Sequence, residues 1–178
     1  MKKPFGVSCL LGILFMVCIS AGNAQPIKSD ILGELYVEKN AGFTMRVPKN
    51  WETKDFNQKY LMVIGQAENN FTPNINFGDE EFTGKILDYI EACIELFPQV
   101  FADFEVIQKG EFTTTKGVRG AYMITQGRIN EIKVRQNYYV VPNKRGTAVM
   151  TIVGTAPPGG VKYDAIFAEC AKTFEWTN

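Results

Sequence analysis

The chain has 178 residues, 46% apolar and 21% charged, with 19 basic and 19 acidic residues and a formal net charge of zero. This is an ordinary composition with enough apolar material for one core, and its neutrality excludes a general nucleic-acid binder, which needs a surplus of Lys and Arg against phosphate. Histidine is absent and serine occurs only at Ser8, Ser20 and Ser29, which excludes Ser-His-Asp triads, Cys-His dyads and histidine-ligated zinc or iron.

The N-terminus starts with Lys2 and Lys3, runs apolar from roughly Phe5 to Ala21 and closes on Gly22-Asn23-Ala24. A basic start, an apolar run and small residues three and one before the cut make a secretory signal, residues 1–24, cleaved before Gln25 to leave one domain over 25–178. Two alternatives stay open. Residues 5–21 could be retained as an anchor, since no charge separates Lys3 from Lys28. Lipid could attach at Cys18, a poorer fit because Val17 stands where a small residue is wanted. All three readings place the domain outside the cytoplasm, periplasmic or secreted, and touch a membrane only through the N-terminus. Without the leader's lysines, 17 basic residues face 19 acidic ones.

Leu35–Glu38 reads as a short first strand, and Lys39-Asn40-Ala41-Gly42 as a turn. Phe43, Met45 and Val47 alternate with Thr44 and Arg46, the period of a half-buried strand that Pro48 ends. Trp51 is expected to close over the sheet edge. Tyr60–Ala67 reads as a more central strand, Asn69–Pro73 as a loop and Asn74–Phe77 as another short strand. A helix is expected from Thr83, with Thr83 as its cap and Asp79, Glu80 and Glu81 near its positive end. Ile86, Ile90, Cys93, Ile94, Phe97 and Phe101 fall at helical spacing, and Pro98 should stop the helix near Leu96 or Phe97.

Four strands follow as a meander, Phe104–Thr114, Val118–Gly127, Glu131–Val141 and Thr147–Ala156, separated by breaks of hairpin length. Pro157-Pro158-Gly159-Gly160 is a firm stop. A last helix is predicted from Lys162 to Phe174, with Ile166, Phe167, Cys170 and Phe174 on one side. Strands, helix, four strands, helix is the order of an α+β domain: a mostly antiparallel sheet of six to seven strands. Tyr138 to Val141 are apolar on both sides, so both sheet faces should be covered by helices, an α/β/α sandwich.

Cys93 and Cys170 remain after the leader. Each lies on the apolar face of its predicted helix, either as two buried thiols or as a disulfide, which needs the helices to be neighbours with Cα atoms about 4.4–6.8 Å apart. Charge is segregated: eight acids and one Lys from Asp79 to Glu105, seven bases and one acid from Lys116 to Arg145. Lys116, Arg119, Lys133 and Arg135 form a candidate basic surface for a protein partner, with Lys133, Arg135, Asn137 and Tyr139 alternating onto one strand face; the alternative is plain solvation. Asp79-Glu80-Glu81 lacks the spacing of a calcium loop. No phosphate loop, metal set or cofactor motif is present.

The stretch Gly42–Trp51, GFTMRVPKNW, followed by a strand, a helix, GEFTTTKGVRG, RQNYYVV and a closing helix ending FEW, resembles the PsbP / DcrB / Mog superfamily over roughly residues 35–176. The signature residues are Gly42, Phe43, Pro48 and Trp51. The resemblance implies an antiparallel sheet between helices. It also implies a role in binding or assembly, since members include photosystem II extrinsic subunits, envelope lipoproteins and Ran-binding import factors and share no catalytic residues. The expected function is a non-catalytic binding or assembly accessory of the cell envelope, without cofactor. A small-ligand carrier with an apolar pocket lined by Tyr122, Tyr138 and Phe97 is the alternative, and a carboxylate-based hydrolase is a third.

Overall fold

The computed structural model describes residues 31–177; the leader, with its cleavage, anchor and Cys18 readings, lies outside the described residues. The elements are β1 (Leu32–Glu38), β2 (Phe43–Pro48), β3 (Glu52–Lys54), β4 (Met62–Ile64), β5 (Asn74–Glu81), α1 (Ile86–Leu96), a 3-10 turn at Phe97–Gln99, β6 (Ala102–Thr113), β7 (Arg119–Ile129), β8 (Ile132–Pro142), β9 (Ala148–Ala156), α2 (Lys162–Lys172) and β10 (Glu175–Trp176). A seven-stranded sheet runs in the order β3-β4-β5-β9-β8-β7-β6, and a three-stranded sheet in the order β1-β2-β10. All pairings are antiparallel, so the class is α+β as predicted.

The run of apolar residues on β8 is resolved by its period of two. Tyr138 and Val140 pack in one cluster with Tyr89, Ile90, Cys93 and Phe97. Tyr139 and Val141 pack in the other with Ile166, Phe167 and Cys170. Helix α1 therefore covers one face of the large sheet, and α2 with the small sheet covers the other. The Phe43 ring, fully buried, anchors the second layer. It lies 5.2 Å from both Phe77 and Phe174, 5.8 Å from Tyr36 and 5.9 Å from Tyr60, between centroids. Gly42 enters β2 at φ 70, where a side chain would be strained, and its N–H closes the turn on the Glu38 carbonyl at 2.9 Å. Pro48 is the last residue of β2. Trp51 is half-buried, its ring 6.0 Å from Phe167 and 6.3 Å from Tyr163, so it caps α2.

Several expectations need correction. The central strand read over Tyr60–Ala67 is the short β4, one position in from the β3 edge; the centre is β9. The acids Asp79, Glu80 and Glu81 lie in β5, which runs the full length of β9, and do not flank a helix start. Helix α1 begins at Ile86 after Lys85, without a side-chain cap from Thr83. Pro98 does end it, in the 3-10 turn. Strands β3 and β10 are too short to show a period.

The Cys93–Cys170 disulfide is not formed. Both cysteines are free and buried, one under each helix, on opposite faces of the sheet. The backbone layer between them exceeds the reach of an S–S bond. Burial pushes both thiols up to about 12, with help from Glu80 at Cys93 and from Glu169 at Cys170. They are small core hydrophobes.

Candidate functional site

One end of the large sheet opens into a cleft of about 650 Å³ between the β7–β8 turn, the loop before α2 and a small hairpin at Glu68–Phe71. Its lining includes Glu68, Phe71, Ile132, Lys133, Pro158 and Lys162. Local chemistry sets each wall. Asn130 and Glu131 both take positive φ (46 and 69), as a two-residue turn between twisted strands requires. Asn69 and Asn70 do the same (49 and 63) in a hairpin closed by mutual hydrogen bonds between Glu68 and Phe71, at 2.7 and 2.9 Å. Pro157 and Pro158 end β9 without further ladder donors. Gly159, at φ 77, turns the chain into α2.

The small hairpin is fastened to the helix. Lys162 Nζ donates to both carboxylate oxygens of Glu68 at 2.7 and 2.6 Å, and the Tyr163 hydroxyl donates to Glu68 at 2.8 Å. Those bonds, Lys162 first and Tyr163 second, hold the Glu68 carboxyl below the usual carboxylate range. Val161 stands beside this contact and is 60% exposed. Beneath the helix start, Arg135 donates to Asp164 at 2.9 and 2.7 Å and Asn137 donates to the same carboxylate at 3.0 Å. The Asp164 bonds raise the Arg135 pKa further.

The structure separates the basic residues singled out in the sequence. Lys133 is exposed, lines the cleft and makes no ion pair among the described residues. Arg135, two residues further along β8, is only 8% exposed and is neutralised by Asp164, so it belongs to the core and offers no contact surface. Lys116 is exposed in the β6–β7 turn and pairs with Glu175 at 3.3 Å. Arg119, also exposed, opens β7 opposite Thr113. Lys133 pairs with Arg128 at the other end of β7, about 30 Å away at strand rise. The alternation also puts Arg119 on the α1 face and Lys133 on the α2 face. The basic residues are therefore not one patch.

The carrier pocket is not assembled as read. Phe97 and Tyr138 are in ring contact at 5.2 Å in the α1 layer, while Tyr122 stacks on Tyr139 at 6.1 Å in the other. The acids of β5 are already engaged, Asp79 by Lys59 (2.6 Å) and Tyr60 (2.8 Å), and Glu80 by Tyr89. Sequence reasoning missed Glu68, Tyr163 and Asp164. The Asn69-Asn70 pair was the available signal, since two asparagines in a row suit a positive-φ turn.

No family model and no curated relative matches the chain. Solved structures do. The cyanobacterial PsbP (CyanoP) of Synechocystis sp. PCC 6803 superposes with a TM-score of 0.57 at 14% identity, over 87% of this chain and 98% of that one. The Ran-binding protein Mog1p of Saccharomyces cerevisiae gives 0.58 at 10% identity, over 83% and 97%. LpqN of Mycobacterium tuberculosis, involved in cell envelope biogenesis, gives 0.56 at 16% identity, over 82% and 90%. The chain has the PsbP/Mog-like fold. At such identities the likeness is one of architecture. In this PsbP/Mog-like fold the cleft is defined by the chain's own loops, and its chemistry has to be argued from its own residues.

Proposed function

We propose that the chain is an exported, non-catalytic binding and assembly accessory that holds a protein partner of the cell envelope at the cleft, with Lys133 as its charged contact. Lys133 carries this reading: of the basic residues singled out in the sequence, it alone lines the cleft. Its unpaired charge sits beside the half-buried Ile132 on the cleft wall, and a rim charge of one sign steers a partner that presents the other. Two fold neighbours support the class of role, one Ran-binding and one involved in envelope biogenesis. Lys116 and Arg119, at the far end, would serve a separate contact.

The test places a photo-reactive amino acid at Val161 in the full-length protein in its native envelope, with a second at Val37 in β1, exposed and away from the cleft, as control. A single protein adduct at position 161, lost in a Lys133→Glu background, is the expected result. Equal labelling at both positions, or an adduct indifferent to Lys133→Glu, refutes the site. A cleft of this volume also lies in the range of small-molecule sites, about 300–1,000 Å³. Native mass spectrometry of the purified protein showing a stoichiometric small adduct would favour a ligand carrier.

A further inference from the structure

Strand β6 is the free edge of the large sheet. Its twelve residues pair with β7 on one side, and on the other their backbone groups meet no strand among the described residues. Such an edge templates further pairing unless it is blunted. The first half of β6 is blunted: its register slips between Ala102 and Glu105 and again between Val106 and Gln108. From Gln108 to Thr113 the register is unbroken.

That straight half reads Gln108-Lys109-Gly110-Glu111-Phe112-Thr113, with opposite charges placed symmetrically about Gly110. Lys109 and Glu111 lie opposite Met123 and Ala121, so both stand on the α1 face. A second copy aligned antiparallel about a two-fold axis at Gly110 puts Lys109 opposite Glu111 twice over. Three exposed apolar side chains lie on the elements at this edge: Leu87 (41%), Val100 (48%) and Ile107 (41%). Leu87 is one helical turn before Glu91, which grips Lys109 at 2.5 Å. Val100 follows directly on the 3-10 turn.

We propose that the protein forms a two-fold dimer through antiparallel pairing of β6 with β6 about Gly110, joining the large sheets of two copies into one. Three strand spacings, about 14 Å, then separate β7 from its counterpart. The α1 helices packed over them clear each other, since close-packed helices approach to about 8–10 Å. In this register Ile107 stands opposite Thr113 of the second copy, and Leu87 lies one helical turn from the Glu91–Lys109 contact at the edge. A pairing this short buries less than a standard interface, so the dimer is concentration-dependent, with a dissociation constant in the micromolar range.

Sedimentation equilibrium from micromolar to millimolar protein tests it, with circular dichroism confirming the fold of each variant. Wild type shifts from monomer to dimer. Glu111→Lys opposes Lys to Lys at both symmetric positions, and Lys109→Glu opposes Glu to Glu; each weakens self-association about tenfold or more. An equimolar mixture of the two variants is complementary and associates at least as tightly as wild type. Glu91→Gln frees Lys109 from its internal partner and leaves association at least as tight as wild type. A wild type that stays monomeric throughout overturns the proposal. So does a dimer indifferent to either charge reversal, or a folded mixture that fails to associate. Labelling at Val161 reads the cleft separately, because that site lies on the other face.

Discussion

Replacing Asp164 with Ala tests how α2 is seated on the sheet. The wild-type carboxylate takes two charge-assisted hydrogen bonds from Arg135 and one from Asn137. The side chains of the ion pair are only 10% and 19% exposed, and Asn137 is fully buried. Removing one member of a buried pair leaves the other charge uncompensated, at a cost of about 3–5 kcal/mol. The Arg135 tip keeps slight contact with solvent, so the lower end applies, about 3 kcal/mol. For a protein of this size that lowers Tm by about 6–12 °C. Arg135→Met should cost less, about 1–2 kcal/mol, because the remaining carboxylate sits in the first turn of α2, keeps its bond from Asn137 and faces the positive end of the helix. The pair Arg135→Met with Asp164→Leu should recover most of the loss, as apolar replacements of buried ion pairs do. Urea denaturation of the wild type, Arg135→Met, Asp164→Leu and the double variant gives the cycle, with Asp164→Ala measured beside it. A coupling energy below about 0.5 kcal/mol, or Arg135→Met proving costlier than Asp164→Ala, would refute the reasoning.

Gly154→Ala places a Cβ 2.4 Å from the Phe167 ring, which is 2% exposed and has no room to retreat. Overpacking of this kind costs about 3 kcal/mol, measured as a shift in urea midpoint; an unchanged midpoint would show that the ring gives way. Cys93 and Cys170, with thiols pushed up to about 12 by burial, should resist an aromatic disulfide reagent at pH 8 until the protein unfolds, and then both should react. Immediate reaction of either thiol in the native state would contradict their placement. Glu68, held below its ordinary 4.5 by Lys162 and Tyr163, contributes stability that is present above that value and lost as pH falls through the lower folded one. The stability gap between wild type and Glu68→Gln should therefore narrow as pH falls from about 6 toward about 3. A gap that is constant across that range removes Glu68 as the titrating group.

The elements legible in the sequence were those long enough to show a period. The meander from β6 to β9 and the closing helix were read within a few residues. The unbroken apolar run Tyr138–Val141 on β8 also announced that both faces are covered. Short elements escaped, because β3 and β10 hold three and two residues and carry no pattern. The Asp79–Glu81 run looked like a helix approach because acids favour a helix N-terminus, yet cross-strand pairing with β9 draws it into the sheet. Tertiary context overrode a local preference that was real. The disulfide reading failed for a related reason: each cysteine was correctly placed on an apolar helix face, but nothing local says which side of the sheet a helix will take.

The basic surface was misread through the same missing information, and β8 shows how. Lys133, Arg135, Asn137 and Tyr139 do share one face, as their alternation requires. What separates them is where α2 begins. The stop at Pro157–Gly160 delays the helix so that its first turn, carrying Asp164, lies over Arg135 and Asn137 and leaves Lys133 outside. Two basic residues one pleat apart thus acquire opposite tasks, one seating the helix and one facing the cleft. The Glu68 hairpin, gripping Lys162 and Tyr163, holds the same turn from the other side. The start of α2 is therefore both a packing joint and a wall of the cleft. Loosening it, as Asp164→Ala should, would weaken the proposed contact at Lys133, read as a loss of the Val161 adduct, without touching any residue that lines the cleft.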